Sequence, residues 1–283
     1  MDPLILHNDR ILPLAEARLS PGQAGLLLGW GVFTTLRIYR GRPFEFHRHW
    51  ERMTRDAARL DVEVPCGEDL VLSRIVELAR ANRRVEGAGR VSFVKNYGGL
   101  WSGDPGGPVT DLLVFTRELS AWPESHRLLL QQNAAFSAGV LAGAKMLSWA
   151  QNTLLLEKAR AQGYDDALLL NDRGEITECT SANFFMIRAG EGLTPPLASG
   201  CLPGVTREVL FPIAARAGIA LREQALMPAD LASADEVFIS STTREVAGVG
   251  FVSPDLRFAA PGAVTRKLEA AFRQYVEANL GSA

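Results

Sequence analysis

A chain of 283 residues, at roughly 150 per domain, makes two domains the natural expectation. Its 47% hydrophobic and 22% charged residues fall in the globular range and exclude a disordered chain. With 30 Lys and Arg against 32 Asp and Glu, the net charge of −2 offers no general field for nucleic acid or an anionic membrane, so any bound anion needs a local site. The predicted elements begin with strands over 4–6 and 10–12, a hairpin turning at His7-Asn8-Asp9. Residues 32–39 alternate as a strand before the turn Arg40-Gly41-Arg42-Pro43, and a meander is expected here. Trp50, Met53, Ala57 and Leu60 share one face of a helix over 48–60, and 69–81 form a second amphipathic helix. Residues 90–97 and 111–116 read as strands, joined by GGLWSGDPGGP, a Gly-rich loop suited to covering a site.

The segment LSAWPESH after Glu118 marks an interdomain connection, which divides the chain into residues 1–120 and 121–283. Beyond it come a strand over 127–131, a helix over 150–162 closed by Gly163, and a hairpin of 166–170 with 175–179 about Asn171-Asp172-Arg173-Gly174. A strand over 183–187, a helix over 205–217 after Pro203-Gly204, a strand over 237–239 and a terminal helix over 267–280 complete the reading. Cys66, Cys179 and Cys201 lie far apart with no C-x-x-C pair, which argues against a disulfide framework and for the cytoplasm. The acidic start of the chain does not read as a signal peptide, and the uncharged run 19–36 holds Pro21 and four glycines, so it reads as buried strand and turn. His47 and His49 lack a third ligand, and no metal site is expected. Without H-E-x-x-H, G-x-S-x-G or G-x-x-x-x-G-K-[ST], the metalloprotease, triad hydrolase and P-loop classes fall away.

Chemistry gathers elsewhere. Lys145, in VLAGAKMLSWAQN, is the only charge between Arg127 and Glu157. Desolvation of such an ammonium is one route to a nucleophilic, Schiff-base-forming amine, the alternative being a lysine that snorkels from a helix end. At LPGVTREV, Gly204 permits close backbone approach while the N–H groups of Val205 and Thr206 open a helix whose dipole favours an anion; a plain Thr206 cap is the alternative. Ser240, Ser241, Thr242 and Thr243 follow directly on a strand, a hydroxyl cluster able to complete a phosphate cup or simply a polar turn. Arg52 can add a cation, and Glu178 can hold a heterocyclic nitrogen protonated, although both residue types also suit a solvated surface.

Five segments in order, GWGVFTTLRIYRGRPFEFHRHWERM, AKMLSWAQN, DDALLLNDRGEITECTSANFF, SGCLPGVTREVL and EVFISSTTREV, resemble the fold-type IV pyridoxal-phosphate enzymes over nearly the whole chain. That family holds branched-chain aminotransferases, D-amino-acid aminotransferases and aminodeoxychorismate lyases. The resemblance implies a two-domain α/β (α+β) fold, with a small N-terminal domain and a larger C-terminal domain built on a barrel-like sheet and carrying the Schiff-base lysine. It implies pyridoxal 5′-phosphate as cofactor and a homodimer. It assigns Lys145 the internal aldimine and the proton shuttle, Glu178 the pyridine nitrogen, and Arg52, Gly204, Val205, Thr206, Ser241 and Thr242 the phosphate. Phe33, Lys95, Tyr97 and Thr243 fall to the substrate.

Departures from the family pattern bear on that substrate. Phe33 stands where D-amino-acid enzymes carry a tyrosine, and their R-G-x-x-x-R-x-H carboxylate trap is absent from Lys95-Asn96-Tyr97-Gly98-Gly99. Phe93-Val94-Lys95-Asn96 corresponds loosely to the Y-I-R-P of branched-chain enzymes, so Lys95 is expected to supply the carboxylate-binding charge. Transamination from an L-branched-chain amino acid to a 2-oxo acid leads. The lyase stays in contention through FTT and TEC, the D-amino-acid enzyme as a further alternative, and a non-covalent phosphate-binding module stays formally open.

Overall fold

The computed structural model describes residues 1–101 and 107–280, so residues 102–106 of the Gly-rich loop lie outside the described residues. Two compact units divide the chain: residues 1–120 with 144–149, and residues 121–143 with 150 onward. The segment bearing Lys145 therefore groups with the first unit, not with the C-terminal domain where the sequence placed it. Its backbone gives the reason. Met146 bridges Val32, and the N–H groups of Phe33 and Leu147 donate to the carbonyls of Lys145 and Gly31 at 3.0 and 2.9 Å, so the segment is satisfied as a short edge strand.

The first unit contains β1 (Leu4–His7), β2 (Arg10–Pro13), α1 (Ala24–Leu28), β3 (Gly31–Tyr39), β4 (Arg42–Pro43), α2 (Phe46–Arg59), α3 (Glu68–Ala81), β5 (Gly87–Lys95) and β6 (Thr110–Arg117). Its strands form one antiparallel sheet in the order β2-β1-β6-β5-β3-β4. The expected meander is thus corrected: β6 and β5 stand between β1 and β3, because the long β3 takes β5 as its partner from Gly31 to Ile38. The alternation of side chains along a strand then sorts the residues. Val32, Thr34 and Leu36 share a face with Val91 and Phe93, whereas Phe33 and Thr35 share the other with Arg90 and Ser92. Helices α2 and α3 cover the first face: Trp50 meets the Phe93 ring edge-on at 5.7 Å, and Met53, Ala57, Val71, Ile75 and Leu78 are fully buried. Each large apolar side chain so buried stabilises the unit by about 1.5–3 kcal/mol.

The second unit contains β7 (His126–Ala135), α4 (Ala150–Ala161), β8 (Asp166–Asn171), β9 (Ile176–Cys179), β10 (Asn183–Arg188), β11 (Glu191–Thr194), α5 (Val205–Arg216), β12 (Leu221–Glu223), β13 (Glu236–Ser241), β14 (Glu245–Val252), β15 (Leu256–Arg257) and α6 (Ala263–Leu280). Strands β10, β13, β14, β7, β8 and β9 pair in sequence, and β9 returns to β10, closing a six-stranded barrel. Leu128, Leu168, Phe184, Met186, Val237, Ile239 and Val249 belong to the core of this unit. Strand β14 is absent from the sequence reading because Gly248 and Gly250 interrupt its pattern. A Cβ on Gly248 would lie 2.8 Å from the Pro261 backbone, so the glycine marks close chain approach within a strand.

Candidate functional site

In the first unit, Lys145 is fixed through its backbone: its N–H donates to Asp56 Oδ2 at 3.0 Å, from a carboxylate that is fully buried on α2. Its Nζ stands 4.7 Å from the centre of the Phe33 ring, which Trp149 meets edge-on at 6.2 Å. The guanidinium of Arg90 lies over the same ring at 3.6 Å. Burial alone holds Arg90 below its ordinary pKa, and among the described residues it has no hydrogen bond or ion pair. Sequence reasoning placed Arg90 at the head of a strand without assigning it a role. Its position opposite Thr35, on the Phe33 face, was the signal, and that signal needs the strand register.

Lys95, expected to offer the carboxylate-binding charge, is corrected by the same register. It lies on the face opposite Phe33, where its ammonium donates to the Asp61 carbonyl at 2.5 Å and carboxylate at 2.8 Å and stands 4.3 Å over the Trp30 ring. Lys95 in turn holds the Asp61 carboxyl below its usual range. Tyr97 follows β5 and is partly exposed. Arg52 is buried on α2, with Nη2 donating to Thr34 Oγ1 at 2.8 Å, while Thr34 Oγ1 stands 2.7 Å from His49 Nδ1. Burial, then the charges of Arg52 and Lys145, push the His49 pKa well below its ordinary value, so the ring is neutral.

In the second unit, Glu178 on β9 is the register partner of Asn183 on β10. Asn183 Nδ2 donates to Glu178 Oε2 at 3.2 Å and to the Leu202 carbonyl at 2.8 Å, tying the carboxylate to the chain that enters α5. Gly204 stands at that entry; any Cβ there would collide with Asn183 Oδ1. No side chain caps α5, whose first residues Val205 and Thr206 are buried, so its first-turn N–H groups face an anion-favouring dipole. Asn183 also pairs with Ser240, which puts Ser241 one residue further along β13. Glu178, Gly204, Val205, Thr206 and Ser241 are thereby brought to one end of this unit. Asn183 is the residue that sequence reasoning missed in TSANFF.

Ser241 Oγ accepts from the Arg244 N–H at 3.2 Å, which leaves its own hydrogen for an acceptor beyond the turn. Thr242 and Thr243 form that turn. Arg244 anchors it: Nη2 meets Asp166 Oδ2 at 3.2 Å, Nη1 donates to Ser181 Oγ at 2.9 Å, and the guanidinium lies 3.9 Å over Trp122. Both charges are fully buried, and Thr180 and Ser181 hydroxyls also donate to Asp166 at 2.5 and 2.8 Å. Nearby His126 is pushed down to about 4 by burial and then by the Arg244 charge. Among the described residues no three metal-ligating side chains gather, and no helix is long and apolar enough to cross a membrane.

The donor set is thus an amine and a desolvated guanidinium beside an aromatic ring in one unit, and a carboxylate, helix-terminal N–H groups and hydroxyls in the other. Taken separately, the amine of the first unit suits condensation with a carbonyl, and the donors of the second suit a phosphate and a protonated ring nitrogen. Comparison with known proteins agrees. A family model described as amino-transferase class IV matches residues 31–250. A D-alanine aminotransferase of Bacillus licheniformis is 27% identical, with 96% of each chain covered. The branched-chain-amino-acid aminotransferase of Escherichia coli K12 is 26% identical over 95% of this chain and 91% of that one. The crystal structure of a branched-chain aminotransferase from Thermoproteus uzoniensis with norvaline superposes with a TM-score of 0.89 at 26% identity, covering 98% of this chain and 95% of that one.

Proposed function

The chain belongs to the class IV aminotransferases, whose cofactor is pyridoxal 5′-phosphate, and from that premise we propose that it moves an amino group from an L-branched-chain amino acid to a 2-oxo acid. The observation that carries the substrate class is Arg90. A half-buried guanidinium with no hydrogen bond or ion pair among the described residues asks for an anion, and one guanidinium, besides the Lys145 amine, beside the apolar rings of Phe33 and Trp149 suits an amino acid with one carboxylate and an apolar side chain. Phe33 also lacks the hydroxyl that D-amino-acid enzymes place there, which supports the L isomer. Relatives named for branched-chain substrates support the same choice.

When bound, the cofactor supplies an aldehyde that condenses with amines and a ring that withdraws electrons from the carbon losing its proton. In this reading Lys145 Nζ would hold the cofactor and, once free, would take the proton lost at substrate Cα and deliver it to the cofactor's aldehyde-derived carbon, which leaves the substrate as a 2-oxo acid. Glu178, oriented by Asn183, keeps the pyridine nitrogen protonated. Arg52, Gly204, Val205, Thr206, Ser241 and Thr242 hold the phosphate, and Tyr97 and Thr243 face the substrate. Most of the residues assigned to the cofactor come from the unit of residues 121–143 and 150 onward, while Lys145 and Arg52 come with the first unit. Exposed Leu26, Leu27 and Leu28, with Leu100 and Trp101, support a homodimer, and three free cysteines support a reducing cytoplasm.

The test is the absorbance spectrum of the holoprotein as L-leucine, D-alanine and aminodeoxychorismate are added separately, without a 2-oxo acid. Conversion of the cofactor to its amine form by L-leucine is the expected result. Conversion by D-alanine alone reverses the handedness, and pyruvate released from aminodeoxychorismate with the spectrum unchanged replaces the transaminase with the lyase. Light scattering on the eluting protein tests the dimer.

A further inference from the structure

Two residues beside Arg52 join it in a buried hydrogen-bonded set, and the reaction itself does not call on either of them. Thr34, His49 and Arg52 are 1%, 1% and 6% exposed, so each polar atom left without a partner there carries a desolvation penalty. His49 and Arg52 stand three residues apart on α2 and therefore side by side, and β3 brings Thr34 against both. The donor-only guanidinium beside both groups sets the direction of each hydrogen. Arg52 Nη2 has only hydrogens to give, so at 2.8 Å it donates to Thr34 Oγ1. The Thr34 hydrogen then points away from Arg52; because Nη2, a donor only, also stands 3.4 Å from His49 Nδ1, a hydrogen on Nδ1 would face another donor, and Nδ1 at 2.7 Å from Thr34 Oγ1 is assigned as the acceptor. That nitrogen accepts only while the ring is neutral with its hydrogen on Nε2.

We propose that His49 is a positioning residue for Arg52: by accepting the Thr34 hydroxyl hydrogen on Nδ1, it turns a Thr34 lone pair to Nη2 and so sets the plane of the guanidinium. The inference rests on the reading of Arg52 as a phosphate ligand and adds how its fork is aimed. A guanidinium donates in fixed directions within one plane, so an anion on Arg52 depends on where that plane lies. Nη2 also stands 3.4 Å from Nδ1, a second contact that a protonated imidazole would turn into a clash of donors. The environment prevents it, since burial and the charges of Arg52 and Lys145 all disfavour the imidazolium. The first threonine of FTT is thereby committed to the helix-covered face.

The experiment compares dissociation constants of pyridoxal phosphate and of pyridoxal, which lacks the phosphate, on the full chain. Thr34→Val keeps shape and removes the hydroxyl; it is expected to weaken pyridoxal phosphate about tenfold while pyridoxal stays within about twofold. Thr34→Ser restores the hydroxyl and the affinity. His49→Asn, which keeps an acceptor near the place of Nδ1, stays closer to wild type than His49→Leu. Wild-type affinity in Thr34→Val, or equal weakening of pyridoxal, overturns the positioning role; because Thr34→Val is nearly isosteric, the test survives even where His49→Leu does not fold. Arg52→Gln separates the two layers: if it retains wild-type affinity for pyridoxal phosphate, the assignment of Arg52 itself fails and the inference goes with it.

Discussion

Phe33 and Thr34 are neighbours on one strand, yet they serve opposite faces of the sheet, and the two faces obey different rules. On the helix-covered face, Thr34, His49, Arg52, Lys95 and Asp61 are all engaged with one another or with backbone. On the other, Phe33 carries two cations over its ring, and Arg90 has been desolvated without a hydrogen bond or ion pair among the described residues. Burying a charge is costly unless something pairs with it. The helix-covered face therefore reads as the mount that aims Arg52, and the Phe33 face, where Arg90 is left open, as the side that waits for the substrate carboxylate. The second unit makes the same point from the completed side, where Asp166 and Arg244 neutralise each other while fastening the turn of Ser241, Thr242 and Thr243.

The contrast breaks most severely at Lys145. Lys145→Ala is expected to lower kcat at least about 10⁴-fold in single turnovers with L-leucine, while urea unfolding stays within about 1 kcal/mol because the backbone bonds to Asp56 and Phe33 remain. Next comes Arg90→Met, which should raise KM for L-leucine on the order of 100-fold, with Arg90→Lys recovering only part because it lacks the planar fork. An unchanged KM there would return the open face to a merely structural part.

Acid probes the closed regions. A histidine whose pKa is lower folded than unfolded leaves the unfolded chain binding the proton first, so its contribution is complete above about pH 6.5 and is lost as pH falls toward the folded value. His126, folded at about 4, should steepen the loss of stability by about 1 kcal/mol per pH unit across that window, and His49 acts in the same direction. Urea midpoints at pH 7 and 5 should therefore differ less in His126→Leu than in the wild type. The smallest effect belongs to Lys95→Met: KM for L-leucine within about twofold, and little change in the urea midpoint from the lost ion pair, since Asp61 is 95% exposed. A KM rise matching that of Arg90→Met would restore Lys95 to the substrate.

Much of this was legible in the residues themselves. The order of the five segments carries the family, and apolar spacing places α2, α3, α4, α5 and α6 to within a few residues. What the sequence hides is register. Lys95 and Arg90 are both cations on β5, and only the pairing of Phe33 with Ser92 tells which one shares a face with the ring. The place of Lys145 is hidden for a related reason: its segment joins the first unit through backbone bonds, which leave no mark in side-chain pattern. Strand β14 escapes because Gly248 answers to Pro261, a residue distant in the pattern but adjacent in space. Asn183 escapes because an asparagine at a strand's start is ordinary until Glu178, Leu202 and Gly204 surround it.

The barrel closes on the rung that joins Glu178 to Asn183. These residues are near neighbours in the chain, whereas β7 meets β14 across a loop of about 120 residues. Loop-closure entropy grows with the logarithm of length, so the rung at Glu178 is the inexpensive seam and the one at His126 and Val249 the dear one. Pulse-labelled hydrogen exchange during refolding should accordingly find the Cys179 amide, bonded to the Ala182 carbonyl, protected before the amides that join β7 to β14. The carboxylate proposed to govern the cofactor's nitrogen would then be seated early, on a hairpin that forms ahead of the barrel it completes.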